Sequence, residues 1–319
     1  MKNIIIFGGA GFIGTNLTKK LLNQGNKILC IDNFYTSQGE NINQFLENSN
    51  YYFLNGDITF NIWDILFTII KNFLNNKIDE IYNLACPASP NKYQQDPIYT
   101  IHCSLAVEYI CKLAIQFNAK LLQASTSEIY GDPMVHPQNE EYKGNVNTFG
   151  PRACYDEGKR IAETIIYEYI KKGCRAKIIR IFNTYGPYMN PDDGRVISNF
   201  ICQAIQNKPI TIYGDGSQTR SFQYIDDLLD GIEAMMNTED EFTGPVNIGT
   251  DFEFTIEELI TNIQAYFPYK LNKVYQELPI DDPKQRKADI TKLHNKTGWA
   301  PKISLNDGLH KTIEYFKTI

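Results

Sequence analysis

Tyr155 and Lys159 stand four residues apart in Cys154-Tyr155-Asp156-Glu157-Gly158-Lys159, on what reads as the start of a helix. Side chains at i and i+4 share a helix face. A tyrosine phenol ordinarily loses its proton near pH ~10, and a fixed ammonium beside it favours the phenolate and brings the group toward use as a base. The pair is a candidate proton-transfer device. Any long amphipathic helix can contain Tyr-x-x-x-Lys by chance, so the weight of this reading comes from two earlier segments. One is a glycine turn near residue 10, and the other is Ser125-Thr126-Ser127-Glu128, which lies between that turn and the tyrosine.

The turn belongs to Ile4-Ile5-Ile6-Phe7-Gly8-Gly9-Ala10-Gly11-Phe12-Ile13-Gly14, an apolar run like a buried parallel strand that breaks into Gly8-x-x-Gly11-x-x-Gly14. A helix with Leu17, Leu21 and Leu22 follows, ending near Gly25. Glycines let the backbone turn tightly and let a pyrophosphate approach the positive end of a helix. The next strand, Lys27 to Asp32, ends in an acid 18 residues after Gly14 (32 − 14), where a carboxylate accepts adenosine ribose hydroxyls. Asp32 repels a 2′-phosphate, and Asn33-Phe34-Tyr35-Thr36-Ser37-Gln38-Gly39 has no Arg or Lys to bind one. The expected cofactor is NAD, not NADP.

These motifs need a scaffold, and strands alternate with helices along the chain. Further strands are predicted at Tyr51–Leu54, Glu80–Ala85, Leu121–Thr126 and Ala176–Asn183, with helices near 61–74, 98–117 and 155–172. That alternation implies an α/β fold, a doubly wound parallel sheet with helices on both faces. Beyond Asn183 the pattern is shorter and interrupted by prolines and glycine turns. Strands at Arg220–Ile225 and Val246–Ile248 and helices at 226–237, 255–266 and 304–316 are expected there. The division implied is a Rossmann-like NAD-binding domain at 1–183 and a smaller α/β substrate lobe at 184–319, with some segments returning to the main sheet.

Composition narrows the class. With 319 residues, 43% of them hydrophobic, the chain can bury one large core and a smaller lobe. A net charge of −6 and the lack of a basic cluster argue against a nucleic-acid surface. Seven scattered cysteines without Cys-x-x-Cys read as reduced packing residues, and no metal site is expected. Met1-Lys2-Asn3 leads straight into the first strand, and no signal peptide or membrane-spanning apolar run is read. The expected location is cytoplasmic.

With the glycine turn, Asp32, Thr126, Tyr155 and Lys159 in this order, the chain resembles the extended short-chain dehydrogenase/reductase superfamily over essentially its whole length. Longer blocks resemble the UDP-glucuronic acid decarboxylases. They are Pro87-Ala88-Ser89-Pro90, Ser125 to Pro133, His136-Pro137-Gln138, Gly150 to Arg160, Asp193-Gly194-Arg195-Val196 and Asp281-Asp282-Pro283. The resemblance implies decarboxylation of UDP-glucuronate to UDP-xylose through a 4-keto sugar, with NAD regenerated in each turnover. It makes Tyr155 the base, with Lys159 lowering its pKa and touching the nicotinamide ribose, and Thr126 bonded to the same oxygen. Thr126 lies 29 residues before Tyr155 (155 − 126) at a strand end, where doubly wound enzymes put chemistry.

The resemblance also places Ser127 and Glu128 beside carbon 5 and its carboxylate. Relatives that dehydrate nucleotide sugars carry Asp-Glu after the Thr, where this chain has Ser127-Glu128. The implied cofactor contacts continue through Phe12, Ile13, Asn33, Phe34, Tyr35 and Thr36, then Asp57, Ile58, Leu84 and Ala85. The implied substrate contacts are Pro87, Ala88, Ser89, Tyr93 and His102 at the sugar, with Asn183, Arg195, Val196, Tyr213, Arg220 and Arg286 gripping uridine, diphosphate or sugar. Arginine suits phosphate because its fork gives two aligned hydrogen bonds. The chain departs from the family with His102, Ser104 and Asn83 in place of Lys, Asn and His, and with Ser37-Gln38 in the cofactor loop. A His102 only partly protonated at neutral pH holds an anion less firmly.

Superfamily members pack the helices near 98–117 and 155–172 across a two-fold axis, so a homodimer is expected, with Leu105, Ile110, Leu113 and Ala114 as apolar contacts. Two other readings stay open: another sugar-nucleotide enzyme, a 4,6-dehydratase or 4-epimerase, and a catalytically silent nucleotide-binding module. Ser127 in place of Asp and the arginine cluster count against the first. Retention of Thr126, Tyr155 and Lys159 counts against the second.

Overall fold

The computed structural model describes residues 1–278 and 285–319. The block Asp281-Asp282-Pro283 lies outside the described residues. The first half of the chain runs β1 (Asn3–Phe7), α1 (Phe12–Asn23), β2 (Lys27–Asp32), β3 (Tyr51–Asn55), α2 (Trp63–Phe73), β4 (Glu80–Asn83), α3 (Pro90–Tyr93), α4 (Pro97–Leu105), α5 (Val107–Phe117), β5 (Lys120–Thr126), α6 (Ala153–Ile170) and β6 (Ala176–Ile181). Together with Val246–Ile248 the six strands form a seven-stranded sheet. All its neighbours pair in parallel, in the order Val246–Ile248, β6, β5, β4, β1, β2, β3.

β1 reads as an unbroken apolar run because both faces of the sheet are covered. Ile4 and Ile6 pack into one core with Leu17 and Leu21 of α1, while Ile5 and Phe7 pack into the other with Ile69 and Ile70 of α2 and Ile110 of α5. Strand order reverses between β1 and β4, which opens a crevice at the carboxyl edge of the sheet.

The predicted helix at 98–117 is two helices, α4 and α5, which meet at Ala106. Pro97–Phe117 is together long and apolar enough by composition to cross a bilayer, and half of it is buried. The expectation that no such run exists gives way on this stretch; its buried side, with Cys103, Val107, Ile110 and Leu113, packs in the core beneath the sheet. Gly158 of α6 faces Ser104 of α4, and a Cβ there would lie 2.7 Å from the serine oxygen. That small pair lets the helix carrying Tyr155 come close to α4.

In the second half the structure adds elements that local pattern did not show, because they are short or lack clear periodicity. Helix Val196–Ile205 is one. A three-stranded sheet, ordered Glu253–Thr255, Thr219–Ser221, Gln285–Arg286, is another, and it brings Arg220 and Arg286 into register. The expected strand Arg220–Ile225 is two pieces, Thr219–Ser221 and Gln223–Tyr224, split at Phe222. Val246–Ile248 returns to the main sheet beside β6.

Candidate active site and cofactor cleft

One cleft of about 520 Å³ runs along the carboxyl edge of the sheet and takes in the glycine turn, the β5 end, the start of α6 and the arginines of the second half. The turn cannot carry side chains at Gly8 or Gly14. A Cβ at Gly14 would sit 2.2 Å from the Gly8 carbonyl oxygen, and Gly8, at φ +78°, would press one within 2.8 Å of Ala85 N. This bare backbone at the amino end of α1 suits a pyrophosphate. Asp32 closes β2 and is held by three donors: the N–H of Ala10 (3.0 Å), the N–H of Phe34 (2.9 Å) and the Ser37 hydroxyl (2.9 Å). Burial pushes its carboxyl up, and these bonds pull it back.

Phe12, Ile13, Asn33, Tyr35, Thr36, Asp57, Ile58, Leu84 and Ala85 line the same cleft. Phe34 does not. At φ +59° it turns its ring onto Phe53, with centroids 5.0 Å apart, and contributes only its N–H to Asp32. Tyr99 was not legible as a site residue: its hydroxyl donates to Asp57 at 2.9 Å and it accepts from Asn33 Nδ2 at 2.6 Å, tying α4 to the loop after β2. Nothing local in sequence marks it.

At the reacting end, Thr126, Ser127, Tyr155 and Lys159 are all buried. The Thr126 side chain lies beside the Tyr155 phenol and favours its ionised form. Burial pushes that phenol well above its ordinary value, against the downward pull from Thr126. Lys159 was expected to lower the phenol. Its ammonium instead donates to the Ala124 carbonyl at 2.9 Å and lies 5.8 Å from the Tyr155 ring centre. Desolvation therefore dominates at Tyr155.

Glu128 is gripped from two sides. Arg286 reaches both of its oxygens, Nη1 to Oε1 and Nη2 to Oε2, the latter at 2.8 Å, and Arg152 Nη2 reaches Oε2 at 2.6 Å. Burial pushes the Glu128 carboxyl up, but the two guanidinium groups outweigh it and hold the group at about 2. Arg152 was missed as a site residue. The available signal was its position three residues before Tyr155, one helical turn away on the same face. Asp156, also missed, is 5% exposed, has an oxygen without a hydrogen-bond partner, and is raised to about 7 by burial and then by the Glu128 charge.

Pro87, Ala88, Ser89, Asn183, Arg195, Val196, Tyr213, Arg220 and Arg286 all line the cleft. Two expected sugar contacts lie elsewhere. Tyr93 is 1% exposed and stacks its ring flat on Tyr155, centroids 4.9 Å apart and planes 2° apart, so it supports the base from behind. His102 is exposed on α4, outside the cleft, so it does not bear on an anion held there. Arg195 pairs with Asp193 across the turn that begins helix Val196–Ile205.

A parallel sheet with a glycine turn at its crevice and a Thr–Tyr–Lys group at its carboxyl edge defines a nucleotide-dependent short-chain dehydrogenase/reductase type of protein. The chain belongs to the NAD dependent epimerase/dehydratase family, whose model matches residues 4–249. NAD is the cofactor. UDP-glucuronic acid decarboxylase 1 of Danio rerio is 44% identical over 317 residues, covering 99% of this chain and 72% of that protein. UDP-glucuronic acid decarboxylase 5 of Arabidopsis thaliana is 43% identical, covering 98% of this chain and 89% of that protein. A solved UDP-glucuronic acid 4-epimerase of Bacillus cereus, in complex with UDP-glucuronic acid and NAD, superposes with a TM-score of 0.87 at 28% identity over 99% of both chains.

Proposed function

We propose that this chain is an NAD-dependent UDP-glucuronate decarboxylase that forms UDP-xylose through a 4-keto sugar. The observation that carries the proposal is the Glu128 carboxylate held by Arg152 and Arg286 in the cleft that also holds Thr126, Tyr155 and Lys159. Relatives above 40% identity named as these decarboxylases support it.

NAD, when bound, supplies the capacity to take a hydride from carbon 4 of the sugar and to return it. Gly8, Gly11 and Gly14 would receive its pyrophosphate and Asp32 its ribose. In its phenolate form Tyr155 takes the proton of the 4-hydroxyl as carbon 4 becomes a carbonyl, and Thr126 holds the phenol oxygen while this happens. The carboxylate on carbon 5 is then β to that carbonyl. Its loss as CO₂ leaves the electron pair in an enolate, and carbon 5 takes up one proton. Glu128, kept ionised by its two arginines, is placed as an acceptor that orders the water delivering this proton. Tyr155 returns its proton as the 4-hydroxyl re-forms. Arg195, Arg220 and Tyr213 are proposed to hold the UDP end.

The same reading includes a homodimer through α4, α5 and α6. Ile110, Leu113 and Ala114 face the chain's own core. The large apolar side chains that remain exposed on these helices are Ile98, Leu105, Tyr109, Ile115, Ile161 and Tyr167, and they form the proposed contact. A cytoplasmic setting is supported by seven cysteines, all free, which suit a reducing compartment. The deciding experiment is incubation with UDP-glucuronate and catalytic NAD, with products separated by mass. UDP-xylose with CO₂ and little net NADH is expected. UDP-galacturonate at unchanged mass would make the chain an epimerase and refute the proposal.

A further inference from the structure

His136, Pro137 and Gln138 match the decarboxylase pattern, yet none of them lines the cleft. Gln138 is fully buried, at 0% exposure, and its hydrogen bonds converge on the segment just after Arg286. Its N–H donates to the Lys287 carbonyl at 2.9 Å, and its own carbonyl accepts the Asp289 N–H at 2.9 Å. The side-chain Oε1 accepts the Lys287 N–H at 2.9 Å, while Nε2 donates to the Val135 carbonyl at 2.8 Å and so fixes the amide's orientation. Asn247, also at 0% exposure, grips the segment from the sheet side, donating from Nδ2 to the carbonyls of Gln138 (2.9 Å) and Asp289 (3.0 Å). Its Oδ1 accepts the Tyr130 hydroxyl at 2.8 Å.

Tyr130 ends the short turn Ser127–Tyr130 that carries Glu128. Ala288 packs with Ile129 and Tyr130 of that turn and with Phe182 in a small apolar cluster. The segment after Arg286 and the turn bearing Glu128 are thus pinned to each other by side chains that touch neither charged group. A two-pronged guanidinium contact tolerates little displacement, since sliding the strand breaks one prong before the other.

We propose that Gln138 is a positioning residue of the active site: with Asn247 it registers residues 287–289 against the turn Ser127–Tyr130 and so seats Arg286 on Glu128. The inference rests on the decarboxylase reading only for the reaction used to measure it. The test is a double-mutant cycle of Gln138→Met, which keeps the volume, with Arg286→Ala. Gln138→Met lowers kcat/KM for UDP-glucuronate by about ten- to a hundredfold, the usual result of displacing a reacting group by an ångström. Its kcat also falls away at higher pH than in the unaltered chain on the acid side, because Glu128 without Arg286 keeps only Arg152 against burial, which raises it. The doubly altered chain works within about threefold of Arg286→Ala alone, because both changes remove one interaction.

Losses that multiply, or an acid limb that does not move, overturn the proposal. Should Gln138→Met not fold, Asn247→Ala loosens the same segment from the other side and enters the same cycle. A chain that releases no CO₂ sinks the decarboxylase reading, not this one. The cycle is then read in melting temperature at neutral pH, where non-additive losses uphold the seating and additive ones refute it.

Discussion

Replacing Glu128 by Gln keeps the shape of the side chain and removes the charge that two buried arginines share. Glu128 is held at about 2 against an ordinary value of 4.5, so its ionised form is favoured in the folded chain by 2.5 units (4.5 − 2), or about 3 kcal/mol at ~1.36 kcal/mol per unit. Its side chain is 15% exposed, and those of Arg152 and Arg286 are 9% and 5% exposed, so solvent screens the cluster little. Removal of one partner from a buried ion pair costs about 3–5 kcal/mol, which agrees. For 319 residues at ~2.1 cal/mol/K each, the unfolding entropy is about 0.7 kcal/mol/K, so the melting temperature should fall by about 4–5 °C.

The sign in pH follows from the depressed value. The stabilisation is fully present above pH 4.5 and is lost as pH falls toward 2. Thermal unfolding of both chains, followed from neutral pH downward, should show the gap closing over that window. CO₂ release should drop further than UDP binding. A Glu128→Gln chain that melts within about a degree of the original at neutral pH would refute the claim that this cluster stabilises the fold.

Tyr155→Phe should lower turnover by roughly a hundred- to ten-thousandfold with UDP binding kept, and most of the activity surviving would remove Tyr155 from the role of base. Asp32→Ala should narrow the preference for NAD over NADP in calorimetric titrations, since the carboxylate that repels a 2′-phosphate is gone; unchanged discrimination would place the selectivity elsewhere. Asp156, raised from 3.8 to about 7 by burial and the Glu128 charge, favours the folded chain when protonated, so its contribution is lost as pH rises from about 4 through 7. Asp156→Asn should therefore be more stable than the original chain at mildly alkaline pH, by on the order of 2–4 kcal/mol in denaturant unfolding, and equal or lower stability there would contradict the burial argument.

The first βαβ unit was legible because its information is local. Gly8, Gly11, Gly14 and Asp32 lie within 25 residues (32 − 8 + 1), and each is demanded by backbone geometry or strand-end chemistry that any fold of this stretch must meet. Tyr155 and Lys159 were likewise readable, because helix periodicity alone places them on one face. The strand pattern of the sheet followed from apolar runs that only a doubly covered sheet explains.

What periodicity could not decide was which face of a helix meets which neighbour. His102 lies outside the cleft because α4 turns its other side to the core, and Tyr93 lies behind the base because α3 packs its ring against α6. The charge cluster was hidden for a different reason. Glu128 meets Arg152 from 24 residues away and Arg286 from 158 away, and the second meeting depends on buried amides of Gln138 and Asn247 that carry no catalytic signature. The order and types of the chemical groups were written along the chain. Their protonation states were settled only when folding removed water from around them, pushing Tyr155 and Asp156 up by burial and holding Glu128 down with two guanidinium groups.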